Sequence, residues 1–131
     1  MAVSDLETAL AVADSTPDDA LVTGALLKAA DLVGLRAKEL APIIGVSESG
    51  LSRMRSGNAV LQPGTKGFEL ALLVLRVLRS AAALFHSDFI YVGAWLRAEH
   101  DDLTPTPLAC MRSVTGLIEV ADHLDYYRGR A

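Results

Sequence analysis

The sequence has little of what disulfide-bonded, metal-binding or membrane proteins need. Its 131 residues include one cysteine, Cys110, which by itself forms neither an internal disulfide nor a thiolate metal site. The three histidines stand apart at positions 86, 100 and 123, so there is no paired-histidine metal motif. The longest apolar run, Leu70 to Leu75, is too short to span a bilayer. The opening segment MAVSDLETAL has no basic start typical of a secretory signal, so we expect a cytoplasmic protein without membrane association.

Catalytic patterns are missing as well. No nucleophile has a candidate base near it in the sequence, no glycine-rich phosphate loop follows a strand, and no metal-ligand spacing occurs. We therefore expect no enzymatic activity, no catalytic residues, no metal and no cofactor. The hydrophobic content of 51% is nevertheless too high for a disordered chain, so the sequence predicts a packed core.

Basic residues are outnumbered, but their distribution is uneven. The net charge of −4 argues, taken alone, against nucleic acid as a partner. Residues 1–20 carry five acidic side chains and no basic one, whereas residues 21–67 carry six basic and three acidic side chains. The remaining residues are acidic or balanced. The basic excess is therefore confined to one stretch, where it can serve a nucleic-acid surface despite the negative total.

Helical periodicity runs through almost the whole sequence, and no strand alternation occurs. Residues typical of helix starts are Ser4 with Glu7, Thr16 with Pro17, Ser47, Ser87, Thr106 and Ser113, and residues typical of helix ends are Gly34 and Gly45. The segment 57–67 (GNAVLQPGTKG) predicts a loop. The run from Phe68 to about Phe85 predicts an apolar helix with Arg76, Arg79 and Ser80 on its wetter side. We predict an all-α fold.

The predicted helix that starts at Phe68 is apolar on most of its circumference. Leu70, Val74 and Val77 lie on one face, and Leu73 and Leu78 widen the apolar belt. A helix of this kind must be covered nearly all round. The pattern predicts either a central helix or a self-association surface, and we favour the central position.

Residues 36–56 (RAKELAPIIGVSESGLSRMRS) fit a helix-turn-helix. Two short helices that meet at a tight turn need a small residue where they touch, a glycine in the turn and apolar inward positions. Ala41 is the small contact residue, Gly45 is the turn four positions later, and Val46 fills the gap between the helices. The inward apolar positions are Leu40, Ile44, Leu51 and Met54.

The helix-turn-helix geometry points the polar residues of its second helix outward. Ser49, Ser52 and Arg53 are placed to reach base edges or nearby phosphates. The residues placed to meet the DNA backbone are Arg36, Lys38, Arg55 and Lys66. The alternative is a plain helical hairpin whose arginines are only solvated, and the acidic Glu48 at the start of the second helix favours that alternative. Each neutralised phosphate adds only about 0.9 to the salt slope of binding, so we expect a homodimer or larger assembly on DNA.

The C-terminal part, residues 91–131, carries a second pattern. A Trp-Leu pair on a helix is followed by an acidic loop, by Thr-Pro-Leu at the start of a short helix, and by apolar residues at helical spacing. This segment resembles the toxin-binding domain of the Xre/MbcA/ParS-type antitoxins, which partner toxins with a RES domain. The matching residues are Ala94-Trp95-Leu96, Leu103, Thr106-Pro107-Leu108, Gly116, Val120, Leu124 and Gly129. The sequence departs from the pattern at Thr104-Pro105, where a glycine is expected after Leu103. The family also places an Xre-like helix-turn-helix upstream, so the resemblance covers roughly residues 20–131.

The resemblance implies two domains and a specific role. Residues 1–67 would form the N-terminal helices with the Xre-like helix-turn-helix, and residues 68–131 would form the central apolar helix with the toxin-binding domain. Such antitoxins block the active site of their toxin with the C-terminal region, and they act as autorepressors on operator DNA. RES toxins act on NAD, by degrading it or by transferring ADP-ribose. The implied toxin contacts are Trp95, Leu108, Tyr126, Tyr127, Arg128, Arg130 and Ala131, in a homodimer within a larger toxin–antitoxin complex.

Two alternatives stay open at this stage. A single tryptophan in an apolar helix is often a core residue, so Trp95 is either core or partner contact. Tyr126 and Tyr127 either form a partner surface, as their large area and polar groups favour, or merely cap the last helix. The alternative to an antitoxin is a stand-alone Xre-like repressor whose C-terminal half dimerises or senses a ligand.

Overall fold

The computed structural model describes residues 19–130, with Arg130 described by its backbone alone. Within this range it contains seven helices and no strand, which confirms the all-α prediction. The helices are α1 (Asp19–Val33), α2 (Ala37–Ile44), α3 (Glu48–Arg55), α4 (Lys66–Leu84), α5 (Phe89–Arg97), α6 (Pro107–Cys110) and α7 (Val114–Arg130). None of them is long and apolar enough to cross a membrane. The predicted helix starts at Ser4 and Thr16 lie outside the described residues.

Most of the helix boundaries follow from local capping chemistry. Gly34 and Gly45, with φ of 77° and 73°, adopt the left-handed conformation that ends α1 and α2. The Ser47 hydroxyl accepts the Gly50 N–H at 2.9 Å and starts α3. The same arrangement starts α6 at Thr106 and α7 at Ser113, through the N–H groups of Ala109 and Gly116. These predicted starts and ends are therefore confirmed.

Two predicted boundaries differ from the structure. The prediction that Ser87 caps α5 was wrong: the Asp88 carboxylate accepts the Tyr91 N–H at 3.0 Å instead. Ser87 has a φ of 61°, in the left-handed region, whereas a capping residue needs extended backbone. Helix α4 begins at Lys66, two residues before the predicted Phe68, because the Thr65 hydroxyl accepts the Phe68 N–H.

Helix α4 is the centre of the fold. It packs against α1 and α2 on the N-terminal side and against α5 and α7 on the C-terminal side. Val74, Val77 and Leu78 have no exposed surface. Because four helices cover the apolar belt, the preferred central position is confirmed.

Ser80 was wrongly predicted to lie on the wetter side of α4. It is fully buried, and its hydroxyl donates to Asp125 Oδ1 on α7 at 2.5 Å. The Arg76 guanidinium donates to Asp125 Oδ2 from Nε at 2.9 Å and from Nη2 at 2.6 Å. Burial by itself would raise the pKa of Asp125, but the bonds from Ser80 and Arg76 outweigh burial and hold that pKa below its ordinary value. Ser80 and Arg76 of α4 thus face a carboxylate on another helix.

Helix α5 approaches the end of α1 unusually closely. A Cβ atom on Gly93 would lie 2.4 Å from the Val33 carbonyl oxygen, a distance that no side chain tolerates. Only glycine at this position allows α5 to rest on the C-terminal end of α1.

We expect Asp125→Ala to lower the free energy of unfolding by about 1–3 kcal/mol, because the buried Ser80 hydroxyl loses its acceptor. Asp122→Ala is the matched control: Asp122 also binds Arg76, at 3.1 Å, but its side chain is 65% exposed. Its loss should cost at most about 1 kcal/mol. Urea denaturation of both variants measures the difference, and equal losses would contradict the role given to the buried carboxylate.

Candidate DNA and partner interfaces

The segment 36–56 forms the predicted helix-turn-helix from α2 and α3. Leu40, Ala41 and Ile44 of α2 and Leu51 of α3 are at most 2% exposed. The Val46 N–H donates to the Ala41 carbonyl at 3.1 Å and so closes the turn after Gly45. Val46 and Met54 are half-buried against the same core. The inward positions of the motif are therefore occupied as the sequence predicts.

The outward face of α3 presents Ser49, Ser52 and Arg53. All three are exposed. The Ser49 hydroxyl lies 3.1 Å from that of Ser47, whereas the side chains of Ser52 and Arg53 form no hydrogen bond or ion pair within residues 19–130. The exposed Glu48 stands at the start of the helix. The face is therefore polar, accessible and able to donate hydrogen bonds.

The other predicted DNA contacts differ in whether an acidic side chain of the protein already binds them. Lys38 is exposed and has no ion-pair partner in the described part of the chain. Arg36 is 63% exposed and contacts Glu39 at 3.3 Å. Arg55 donates from Nη1 to both oxygens of Asp31, at 2.8 and 3.1 Å. A phosphate would have to compete with Asp31 for Arg55, but not with any such group for Lys38.

Gly50 serves the packing at the start of α3. It is buried, its N–H is held by the Ser47 cap, and a Cβ atom there would lie 3.1 Å from the Ser47 hydroxyl. A side chain at this position would crowd the Ser47 hydroxyl, whereas glycine in a helix costs about 1 kcal/mol relative to alanine.

A charged pair joins the helix-turn-helix to the C-terminal helices. Arg97 of α5 binds both carboxylate oxygens of Glu39 on α2, at 2.8 and 2.9 Å, and also donates to the Gly34 carbonyl at 2.7 Å. The Arg36 N–H donates to the same carboxylate at 2.8 Å. Arg97 chiefly, with Arg36, lowers the pKa of Glu39 from 4.5 to about 2 although burial opposes the change. The pair ties α5 to the end of α1 and the start of α2.

Aromatic rings from three parts of the chain meet on another surface. Tyr91 contacts Phe85 at 4.8 Å between ring centroids, and Phe85 contacts Trp95 at 5.8 Å. Trp95 contacts His123 of α7, with ring centroids 6.0 Å apart. His123 contacts Tyr127 at 4.8 Å, and Tyr127 contacts Tyr126 at 5.3 Å. We call this continuous set of six rings the aromatic surface. His100 also lies against Trp95, with ring centroids 5.0 Å apart.

The aromatic surface is covered at its centre and exposed at its ends. Phe85, Trp95 and His123 are half-buried, whereas Tyr91, Tyr126 and Tyr127 are 51%, 57% and 46% exposed. Burial lowers the pKa of His123, and this effect outweighs the opposing influence of Asp102. The centre is therefore apolar and uncharged at neutral pH, and phenolic groups stand at both ends.

The structure brings together some of the predicted partner residues and separates others. Trp95, Tyr126 and Tyr127 share the aromatic surface. Leu108 instead lines a cleft beside α2. Arg128 lies 3.9 Å from Asp125. The Arg130 side chain and Ala131 lie outside the described residues.

Sequence reasoning missed several residues of these surfaces: Phe85, Tyr91, Arg97, His100, Arg112 and His123. The histidines were considered only as metal ligands, whereas His100 and His123 contact Trp95. In the described part of the chain, no three His, Cys, Asp or Glu side chains are grouped to hold a metal ion.

A helix-turn-helix joined through a central helix to a helical unit with an exposed aromatic surface is the architecture of a binding protein. Residues 18–76 match the antitoxin Xre-like helix-turn-helix domain, and residues 80–130 match the antitoxin Xre/MbcA/ParS C-terminal toxin-binding domain. The chain thus belongs to the Xre/MbcA/ParS-type antitoxins, as its resemblance predicts. Comparison with curated proteins gives no match.

The Glu39–Arg97 pair predicts a specific dependence of stability on pH. Since the pKa of Glu39 falls from 4.5 to about 2 on folding, its stabilising contribution is complete above about pH 4.5 and is lost as the pH falls toward 2. Glu39→Gln should therefore be less stable than the wild type at neutral pH, and the difference should shrink over this acidic range.

Urea midpoints of the wild type and Glu39→Gln, measured from pH 7 to about pH 2, give this difference. Glu119→Gln is the control, because Glu119 is exposed and forms no ion pair within the described range. A Glu39→Gln difference that stays constant with pH would contradict the assigned pair.

Proposed function

We propose that this antitoxin binds and inhibits a RES-type toxin that consumes NAD or transfers ADP-ribose, and that it represses its own operon. The observation that carries the toxin-binding part is the aromatic surface. It lies within the segment that matches the toxin-binding domain, and it includes three of the residues that the sequence resemblance implies as toxin contacts. The RES identity of the toxin rests on that resemblance.

The composition of the aromatic surface suits a protein partner. Tyrosine and tryptophan provide large contact areas with few rotatable bonds, and they are enriched among the residues that dominate binding energy. Ile90, next to Tyr91 in the sequence, is 87% exposed and extends the apolar area. Exposed rings at both ends and a half-buried centre give a broad surface that is already ordered before the partner binds.

The position of the tyrosines supports a blocking role for the C-terminal end. Tyr126 and Tyr127 lie in the last turns of α7, close to the end of the described chain. The end of a helix can enter an active-site cleft that is shaped for a small ligand. The rest of the aromatic surface would then contact the toxin around the mouth of that cleft. We propose that residues 126–131 obstruct the toxin active site in this way, with Arg128, Arg130 and Ala131 as contacts.

We expect Tyr126→Ala/Tyr127→Ala to weaken toxin binding by about 30-fold or more, the loss typical of two interface anchors of about 2 kcal/mol in total. Calorimetric titration against a RES-domain toxin that the antitoxin inhibits measures the dissociation constant, and NAD consumption measures inhibition. Ile118→Ala is the control, because Ile118 is 40% exposed on the same helix but outside the aromatic surface.

Unchanged affinity of the double tyrosine variant would contradict the placement of the toxin. A wild-type protein that binds operator DNA but no toxin would instead be a stand-alone repressor.

The DNA-binding part of the proposal rests on the outward face of α3. Helix α3 packs firmly on α2 within the helix-turn-helix. Ser49, Ser52 and Arg53 are therefore presented on a rigid element, as base contacts require. We propose that Arg36 and Lys38 contact the DNA backbone and that Arg55 does so in competition with Asp31. The few cations per chain favour binding as a homodimer.

We expect Arg53→Ala to weaken operator binding by about 1–3 kcal/mol, which corresponds to roughly 5- to 150-fold in the dissociation constant. Arg55→Ala is the matched control, because it also removes an arginine from α3. It should have a smaller effect, because Asp31 already occupies the Arg55 guanidinium. Fluorescence anisotropy with a duplex from the promoter of the operon measures both. Equal losses, or none for Arg53→Ala, would contradict the assigned recognition face.

A further inference from the structure

A cleft of about 340 Å³ separates the helix-turn-helix from the toxin-binding domain. Its N-terminal wall is α2, through Lys38, Glu39 and Pro42, and its C-terminal wall contains Arg97, Leu108 and Arg112. The cleft lies outside the outward face of α3 and outside the aromatic surface, although its lining includes Lys38, a proposed DNA-backbone contact, and Leu108, an implied toxin contact.

The charge that the cleft offers to a ligand is positive. Glu39 and Arg97, one on each wall, bind each other with two hydrogen bonds, so their charges neutralise each other. Lys38 and Arg112 stand on opposite walls, and their side chains form no hydrogen bond or ion pair within residues 19–130. The free positive charge therefore comes from one cation on each domain, and the ligand it suits is an anion.

The cleft lies away from the aromatic surface. Trp95 and Arg97 are two positions apart on α5, and two helical positions differ by about 200° around the axis. Trp95 contacts the rings of the aromatic surface, whereas Arg97 contacts α2 and lines the cleft. The two sides of α5 thus serve different surfaces, and the cleft is on the side of the helix-turn-helix.

We propose that this cleft holds a phosphate of the DNA backbone, contacted by Lys38 and by Arg112 of the toxin-binding domain. In a helix-turn-helix complex the first helix crosses the DNA backbone, and here that helix is α2, which carries Lys38. A backbone phosphate beside α2 would lie in the cleft lined by Lys38 and Arg112, which have no ion-pair partner within residues 19–130. The DNA interface of one chain therefore spans both domains, and the inference rests on the proposed binding of operator DNA.

An acidic segment of the toxin is a different occupant, and the structure favours DNA over it. One of the two free cations belongs to the helix-turn-helix, and the cleft lies on the opposite side of α5 from the rings assigned to the toxin. A phosphate contact also carries no base information, so it should act equally on any duplex sequence.

The test compares Arg112→Gln, which removes the charge, with Arg112→Lys, which keeps it. Binding to the operon promoter duplex and to a scrambled duplex of equal length is measured between 50 and 300 mM salt (approximate range) with the full chain. For Arg112→Gln we expect the salt slope to fall by about 0.9 and the affinity at about 0.15 M salt to fall on the order of fivefold on both duplexes. Arg112→Lys should keep the wild-type slope. Arg112 is exposed, so thermal unfolding should be unchanged in both variants.

Three results would overturn the inference. One is that Arg112→Gln binds both duplexes with the affinity and the salt slope of the wild type. Another is that Arg112→Gln keeps the wild-type salt slope on DNA but binds the toxin more weakly, which would assign the cleft to the toxin. The third is a wild-type chain that binds neither duplex; this result alone also removes the proposed repressor role, so the two failures are distinguishable.

Discussion

The packing of both domains against the single helix α4 is the constraint on which the rest of the structure depends. Helices α1 and α2 of the helix-turn-helix domain and α5 and α7 of the toxin-binding domain all contact it. The matched family domains end at residue 76 and begin again at residue 80, both within α4. Arg76 and Ser80 then fix α7 through Asp125. One continuous helix therefore spans the boundary between the two matched domains and packs against both.

The contact between α5 and the helix-turn-helix strengthens this coupling. Gly93 allows α5 to reach Val33, and Arg97 holds Glu39 and the Gly34 carbonyl beyond it. On the other side of the same helix, Trp95 contributes to the aromatic surface. Helix α5 therefore separates the cleft that we propose for a DNA phosphate from the aromatic surface that we propose for the toxin.

The sequence predicted what depends on neighbouring residues and missed what depends on distant ones. The ends of α1 and α2 at Gly34 and Gly45, and the inward positions of the helix-turn-helix, are set by residues a few positions apart. The burial of Ser80 was missed because its acceptor, Asp125, lies 45 residues away. The Glu39–Arg97 pair, 58 residues apart, and the contact of His123 with Trp95 could not be deduced from local patterns for the same reason. The cap at Asp88 was missed because the backbone at Ser87 is left-handed. The residue types around Ser87 do not predict this conformation.

The central proposal is that DNA and toxin bind at the same time on opposite sides of α5. The most direct measurement is the sedimentation of a labelled operator duplex with the antitoxin, before and after addition of a catalytically inactive toxin. The account predicts a heavier complex that contains DNA, antitoxin and toxin together. Release of the duplex in proportion to the toxin added would show that the two partners compete for one surface, and would contradict the claim.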